Sequence, residues 1–392
     1  MNKKIFISTG EVSGDLHGGL LSKALFDEAK KKSINLEISG LGGERMKKEG
    51  VKIIQDTTSI SAIGFWEALP LLIPTIRIQK RFYKLIKKCP PDCLILIDYM
   101  GPNIKIGSKL KRSRNNIPIF YYIAPQEWAW RVGNNSTTNL IKFSDKIFAI
   151  FKQEAKFYRR RGGNVFWVGH PMIDLTKKLP SKKESRRVLK LKVNQNILLL
   201  MPASRSQELR YILPTYLKAA KKLQLRYPNL VVFIPSCRRS FDERFREGLE
   251  TYEIKGKVIS QQDDSDLKPY IYALTRLALC KSGTVNMELS LYGIPEIVGY
   301  RVSRVTAFIA RKILNFKVRF ISPVNLLLKK LIVPEFVQKN FNERKIFYQA
   351  CRFLDLKSEK VKIKKGYALL KKELGEEGVV ERTAYEIINS II

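Results

Sequence analysis

Uninterrupted apolar runs, each released into a turn of Gly, Ser, Thr or Asp and then into a basic amphipathic stretch, recur along this chain and constrain its fold class. In the first half they are KIFIST (4–9), LEISGLG (36–42), CLILID (93–98), IPIFYYIA (117–124), KIFAIF (146–151) and VFWVGHP (165–171). The pattern restarts with ILLLMPASRSQE (197–208), LVVFIPS (230–236), GKVISQQ (256–262), LALCKSG (277–283) and EIVGYR (296–301). A strand that is apolar on both faces must be covered on both, and helices alternating with parallel strands do that. The polar stretch 175–196, LTKKLPSKKESRRVLKLKVNQN, parts the two series and reads as a linker region. The expectation is an α/β chain of two doubly wound, Rossmann-like domains, 1–174 and 197–341, followed by Lys- and Glu-rich C-terminal helices over 342–392. A length of 392 residues suits two domains. Open sheets of this kind take ligands beyond the carboxyl ends of their strands, so the two domains are expected to face a shared cleft.

Charge narrows the partners. The chain carries 72 Lys and Arg against 36 Asp and Glu, a formal net charge of +36. Such a field favours anions: nucleic acid, phosphorylated metabolites or an acidic bilayer. No RNA-recognition aromatic box, zinc finger or basic dimerisation helix is present, so nucleic acid is not expected. The five cysteines (Cys89, Cys93, Cys237, Cys280, Cys351) are scattered, with no CxxC pair and no nearby histidine. That argues for a reduced, cytosolic chain without structural metal, with Cys93 and Cys280 buried in strands. The first strand is read almost at the start of the sequence, so a signal peptide is not expected. The run AIGFWEALPLLIPTI (62–76) contains Glu67 and two prolines and is too short to span a bilayer.

The segment KSGTVNMELSLYGIPEIVGYR (281–301) is the most informative single stretch. An apolar strand turns through Ser282, Gly283 and Thr284 into a helix carrying Glu288, and Gly293 and Pro295 end that helix before another strand. Such a turn gathers backbone N–H groups and a helix dipole where a diphosphate would sit, with Glu288 in reach of a ribose. The plain alternative is a βαβ unit in which Thr284 caps a helix. Arg205, in the turn PASRSQE (202–208), has the geometry to clamp phosphate oxygens, with Glu208 as its orienting partner. In STGEVSGDLHGG (8–19), Glu11, Asp15 and His17 crowd one strand-to-helix junction, where capping competes with catalysis. The glycine spacing is not that of a dinucleotide turn, and no P-loop exists. Asp98 closes a central strand and is placed to accept a proton from a hydroxyl, a turn role being the competitor. Trp128 and Trp130 are stacking candidates, and His170 lies near the domain boundary, each with core packing as its alternative.

Taken in order, TGEVSGDLHG (9–18), GLGGERM (40–46), LIDYMGPN (96–103), APQEWAWR (124–131), VGHP (168–171), PASRSQE (202–208), SGTVNMEL (282–289) and VNLLL with IVPEFVQ (324–338) resemble the signature series of the lipid-A-disaccharide synthase family over nearly the whole chain. The resemblance implies a GT-B fold, and it leaves open whether the C-terminal helices cross back to the first domain. It implies an inverting transfer of 2,3-diacylglucosamine from a UDP-2,3-diacylglucosamine donor to 2,3-diacylglucosamine 1-phosphate, with no cofactor and no metal. Asp98 would be the base or acceptor-positioning acid, with Glu11 and His17 as the other catalytic candidates. Arg205, Ser282, Gly283, Thr284, Glu288 and Asn325 would form the UDP site. The chain departs from the family pattern at FKQEAKFY (151–158) and at Leu328-Lys329-Lys330.

An enzyme handling two acylated sugars needs an apolar surface beside a basic one. Segments 65–88 and 304–330 interleave Phe, Ile and Leu with Arg and Lys, although core-facing helices with solvated basic faces would read the same way. The expected location is the inner face of the cytoplasmic membrane, peripherally bound to anionic lipid, with a homodimer admitted as a further partner state.

Overall fold

The computed structural model describes residues 1–10, 12–58, 65–113, 116–128, 135–303 and 319–392. They divide into two compact units, Met1–Leu175 with Glu373–Ile392, and Thr176–Lys372.

The first unit is built on a seven-stranded parallel sheet: β1 (Asn2–Ser8), β2 (Asn35–Gly42), β3 (Lys52–Asp56), β4 (Cys93–Ile97), β5 (Ile119–Tyr122), β6 (Lys146–Ala149) and β7 (Val165–Trp167). Its spatial order is β3-β2-β1-β4-β5-β6-β7. The chain winds outward from β1 in one direction, then returns to lay β4 on the other side of β1, in register from Ile5 opposite Cys93 to Ser8 opposite Leu96. The strand order therefore reverses between β1 and β4. All five residues of β4 have no exposed surface, which is why that run carries no polar side chain.

The second unit repeats the plan with β8 (Asn196–Met201), β9 (Leu230–Pro235), β10 (Gly256–Ile259), β11 (Thr275–Lys281), β12 (Glu296–Tyr300) and β13 (Glu335–Val337), in the order β10-β9-β8-β11-β12-β13. Its reversal falls between β8 and β11, where Met201 lies opposite Cys280. Ile197 to Leu200 are wholly buried.

Two edge strands, β3 and β13, had no apolar run to announce them. KIIQD alternates exposed with half-buried positions, and EFV is half-buried throughout, as edge strands tend to be. Within the polar stretch 175–196 the helix Lys182–Leu189 forms, capped by Ser181 Oγ accepting from the Glu184 N–H at 3.2 Å. It packs on the helix Gln261–Leu274. The C-terminal helix Val379–Asn389 lies along the helix Val12–Lys31 of the first unit. Asp174 anchors its start by accepting from the Gly378 and Val380 N–H groups at 2.8 and 2.9 Å. Cys93 and Cys280 are buried thiols, both pushed up by that burial.

Candidate active site

In the second unit the reversal point gathers charge. Beyond β8, Arg205 takes an extended conformation and opens the helix Ser206–Tyr211. Glu208, one turn in and 4% exposed, reaches back: its Oε2 accepts from the Ser204 N–H at 2.6 Å and the Arg205 N–H at 3.1 Å. The protein's own carboxylate thus fills the start of this short helix. The other oxygen, Oε1, lies 3.8 Å from Arg205 Nη1 and 3.6 Å from Lys281 Nζ. Lys281 ends β11, so one acid orients a guanidinium from the β8 exit and an ammonium from the β11 exit. Burial, then the Glu208 carboxylate, push the Tyr300 phenol up, as its place beside this cluster requires.

Gly283 follows with φ +153° and ψ −164°, a region that is essentially restricted to glycine. A Cβ there would also stand 3.1 Å from Lys281 Nζ. The turn differs from the expectation in one respect: the Gly283 N–H does not face outward but donates to Asn286 Oδ1 at 2.9 Å. Asn286 is wholly buried and spends its amide on Glu296 Oε2 at 2.9 Å and the Lys281 carbonyl at 3.1 Å. Glu296, at the start of β12, also accepts from Cys280 Sγ at 3.1 Å, Ser290 Oγ at 3.0 Å and Tyr367 Oη at 3.4 Å. Burial pushes its carboxyl up to about 8. A locked polar network therefore stands behind the turn.

Among the remaining residues read from the sequence, Ser282 Oγ donates to the Ile321 carbonyl at 2.6 Å. Thr284 is the first residue of the helix Thr284–Leu291. Glu288 pairs with Lys268 at 2.6 Å and stays partly exposed. Asn325 is wholly buried, and all its polar capacity serves the chain itself. Its Oδ1 accepts from the Ile332 and Val333 N–H groups at 2.8 and 2.9 Å. Its amide donates to the Val333 carbonyl and Glu335 Oε1, both at 2.7 Å. A side chain so occupied shapes the segment carrying Ile321 and Ser322 rather than reaching out to a ligand.

In the first unit, Asp98 and Tyr99 follow β4 with φ of 47° and 48°, two successive left-handed residues. Each costs about 1–3 kcal/mol, strain that persists where surrounding structure imposes it. Asn103 imposes it here. Wholly buried, it accepts from Ser8 Oγ at 2.8 Å and donates to the Ile97 and Asp98 carbonyls at 3.1 and 2.9 Å. Tyr121 Oη also donates to the Asp98 carbonyl at 2.7 Å. The Tyr99 ring lies against Gly10, where a Cβ would come within 2.2 Å. The exits of β1 and β4 are thus pressed together, and Asp98, in the β4 exit, is half-buried.

Asp15 is a capping residue. Its carboxylate accepts from the Gly43, Arg45 and Met46 N–H groups at 2.7, 3.0 and 3.2 Å, tying the helix Val12–Lys31 to the short helix Glu44–Lys48. His17 is buried and its ring lies 6.3 Å from that of His170, so the chain's two histidines meet. Burial lowers His17 to about 4 and His170 to about 3. Phe151 stacks 5.1 Å from His170, and Trp128 stands edge-on to Phe151, which makes an aromatic row. Glu11 and Trp130 lie outside the described residues. Lys281 and Asn286 were not singled out in the sequence; the signal was their place in KSGTVN, immediately around the glycine turn.

The family model described as lipid-A-disaccharide synthetase matches residues 5–389. A lipid-A-disaccharide synthase of Prochlorococcus marinus (strain MIT 9313) is 49% identical, over 98% of both chains. One from Gloeothece citriformis (strain PCC 7424) is 39% identical, over 99% of this chain and 100% of that one. Among solved structures, the UDP-GlcNAc 2-epimerase of Neisseria meningitidis bound to UDP-GlcNAc has a TM-score of 0.64 at 12% identity, over 100% of this chain and 99% of that one. That likeness bears on the fold alone and agrees with the two-domain α/β plan of the GT-B class. The sequence matches go further: this chain belongs to the lipid-A-disaccharide synthase family.

Proposed function

We propose that the chain transfers 2,3-diacylglucosamine from its UDP donor to the 6-hydroxyl of 2,3-diacylglucosamine 1-phosphate, forming a β-1,6 disaccharide and releasing UDP. Family membership across the chain carries the reading, and the paired cations of Arg205 and Lys281 at one reversal point support it. Arg205 and Lys281 hold the diphosphate and stabilise the charge that grows as the anomeric C–O bond breaks; the helix dipole beyond Gly283 adds to them. Glu288, with Lys268 beside it, addresses the ribose. Ser282, Gly283 and Thr284 form the wall of the same site, while Asn325 acts by positioning its neighbours. Asp98 takes the proton from the attacking 6-hydroxyl as the new bond forms with inversion. His17, low in basicity, and Glu11 are the alternative bases.

The net charge of +36 and the basic, apolar segment 65–88 support peripheral binding to an anionic bilayer. Among the described residues no helix is long and apolar enough to cross a membrane. Flotation with anionic vesicles is expected to carry the protein and to weaken with salt; indifference to lipid charge overturns the membrane role.

The decisive assay measures UDP release from UDP-2,3-diacylglucosamine with and without the acylated sugar phosphate. Release that depends on the acceptor and yields disaccharide is expected. Epimerised UDP-sugar, or release indifferent to the acceptor, would overturn the reading.

A further inference from the structure

The first unit carries a second feature close to Asp98. A groove with a volume of about 650 Å³ runs beside the helix Met100–Arg112, lined by Met100, Ile104, Lys105, Ser108, Lys109 and Arg112, with the helix Asn135–Phe143 contributing its other wall. That volume is in the ordinary range for a small-ligand site. The lining residues recur every three or four positions and so form one stripe along the helix. At 1.5 Å per residue the stripe runs about 18 Å from Met100, two residues beyond Asp98, to Arg112.

Its chemistry is divided. Met100 and Ile104 supply a carbon wall next to the strained Asp98–Tyr99 turn. Lys105, Lys109 and Arg112 supply cations, and among the described residues none of the three is in a salt bridge. Lys109 is held with its ammonium 3.9 Å over the Tyr83 ring, leaving its charge unneutralised. Among the described residues no Asp or Glu lines the groove, and Ser108 Oγ is buried within it without a partner. Lys111, on the same helix outside this groove, is by contrast paired with Asp145 at 3.2 Å. On this helix, among the described residues, the cations outside salt bridges are those of the stripe that begins beside the candidate base.

We infer that this groove is the acceptor subsite: one acyl chain lies along Met100 and Ile104, and the phosphate is received by Lys105 and Lys109. The inference rests on the transferase reading and deepens it. The occupant is an amphiphile with one phosphate, because an apolar wall beside unpaired cations suits neither a neutral lipid nor a free nucleotide.

The test is steady-state kinetics of the full-length Lys105→Ala/Lys109→Ala variant in mixed micelles, varying acceptor and donor separately. Acceptor KM should rise about tenfold or more, with donor KM within about twofold of the parent. The two proteins should become alike on an acceptor lacking the phosphate. Ile104→Trp should shorten the preferred acyl chain, and Lys111→Ala should leave acceptor KM unchanged. Unchanged acceptor KM in the double variant overturns the subsite. So does an equal loss on the phosphate-free acceptor, or a loss confined to vesicle flotation, which would make the stripe a bilayer contact. If the parent enzyme itself shows no acceptor-dependent UDP release, the transferase reading has failed instead, and the two failures are told apart.

Discussion

Lys281 Nζ stands 3.6 Å from Glu208 Oε1, the oxygen that also faces Arg205 Nη1 at 3.8 Å. One buried carboxylate therefore aims two cations that arrive from different strand ends, on either side of the point where the strand order reverses. An acid placed this way spends part of each cation's field but fixes where both point, which is what a diphosphate site requires.

Removing either cation should weaken donor binding. Lys281→Ala and Arg205→Ala are each expected to raise donor KM by about tenfold to a hundredfold, the scale of one charge-assisted hydrogen bond. UDP calorimetry checks this without turnover. Glu208→Gln should weaken UDP binding as well, although it removes a negative charge, because the cations lose their orientation. Tighter UDP binding in that variant would contradict the positioning role.

Asp98→Asn should act on turnover. A general base contributes about 10²–10⁴ to the rate, so kcat is expected to fall by that factor while UDP affinity stays within about twofold. Near-normal turnover would move the base role to His17 or Glu11.

The central strands were legible in the sequence because burial on both faces leaves no alternative to an apolar run: Cys93–Ile97 and Ile197–Leu200 show it plainly. Edge strands β3 and β13 lack that constraint and were not. Asp98, Arg205 and Gly283 were legible as residues at strand exits. Lys281 was not, since a lysine at a strand end ordinarily reads as solvated. Asn286 stayed hidden for another reason. A polar residue in a helix suggests a wet face, and its burial follows from Glu296 arriving on the next strand. The family resemblance placed Asn325 in the UDP site, yet its side chain is consumed by Val333 and Glu335, partners that only the folded segment brings near.

Asn286 offers a separate test. Asn286→Ala leaves the Gly283 N–H, the Lys281 carbonyl and one Glu296 oxygen without their partner. A loss of about 2–4 kcal/mol in stability is expected, seen as a lower denaturation midpoint, together with weaker UDP binding from the loosened turn. A variant that loses stability but keeps full UDP affinity would confine Asn286 to the core.

The buried titratable groups make stability depend on pH in opposite directions. His17 and His170 fall from 6.5 to about 4 and about 3, so between those values and 6.5 the unfolded chain binds more protons and stability rises with pH. Glu154 and Glu296 rise from 4.5 to about 8, chiefly through burial, so from 4.5 to about 8 the folded chain holds protons that the unfolded chain has lost and stability falls with pH. Each group contributes about 1.4 kcal/mol per pH unit within its window. Between 4.5 and 6.5 the two pairs oppose each other; above 6.5 only the carboxyls remain. The denaturation midpoint of the parent protein is therefore expected to be nearly flat from about pH 5 to 6.5 and to decline towards pH 8. His170→Phe removes one rising contribution, so the decline should begin near pH 5. A variant whose pH profile runs parallel to that of the parent would show that His170 does not titrate as its burial requires.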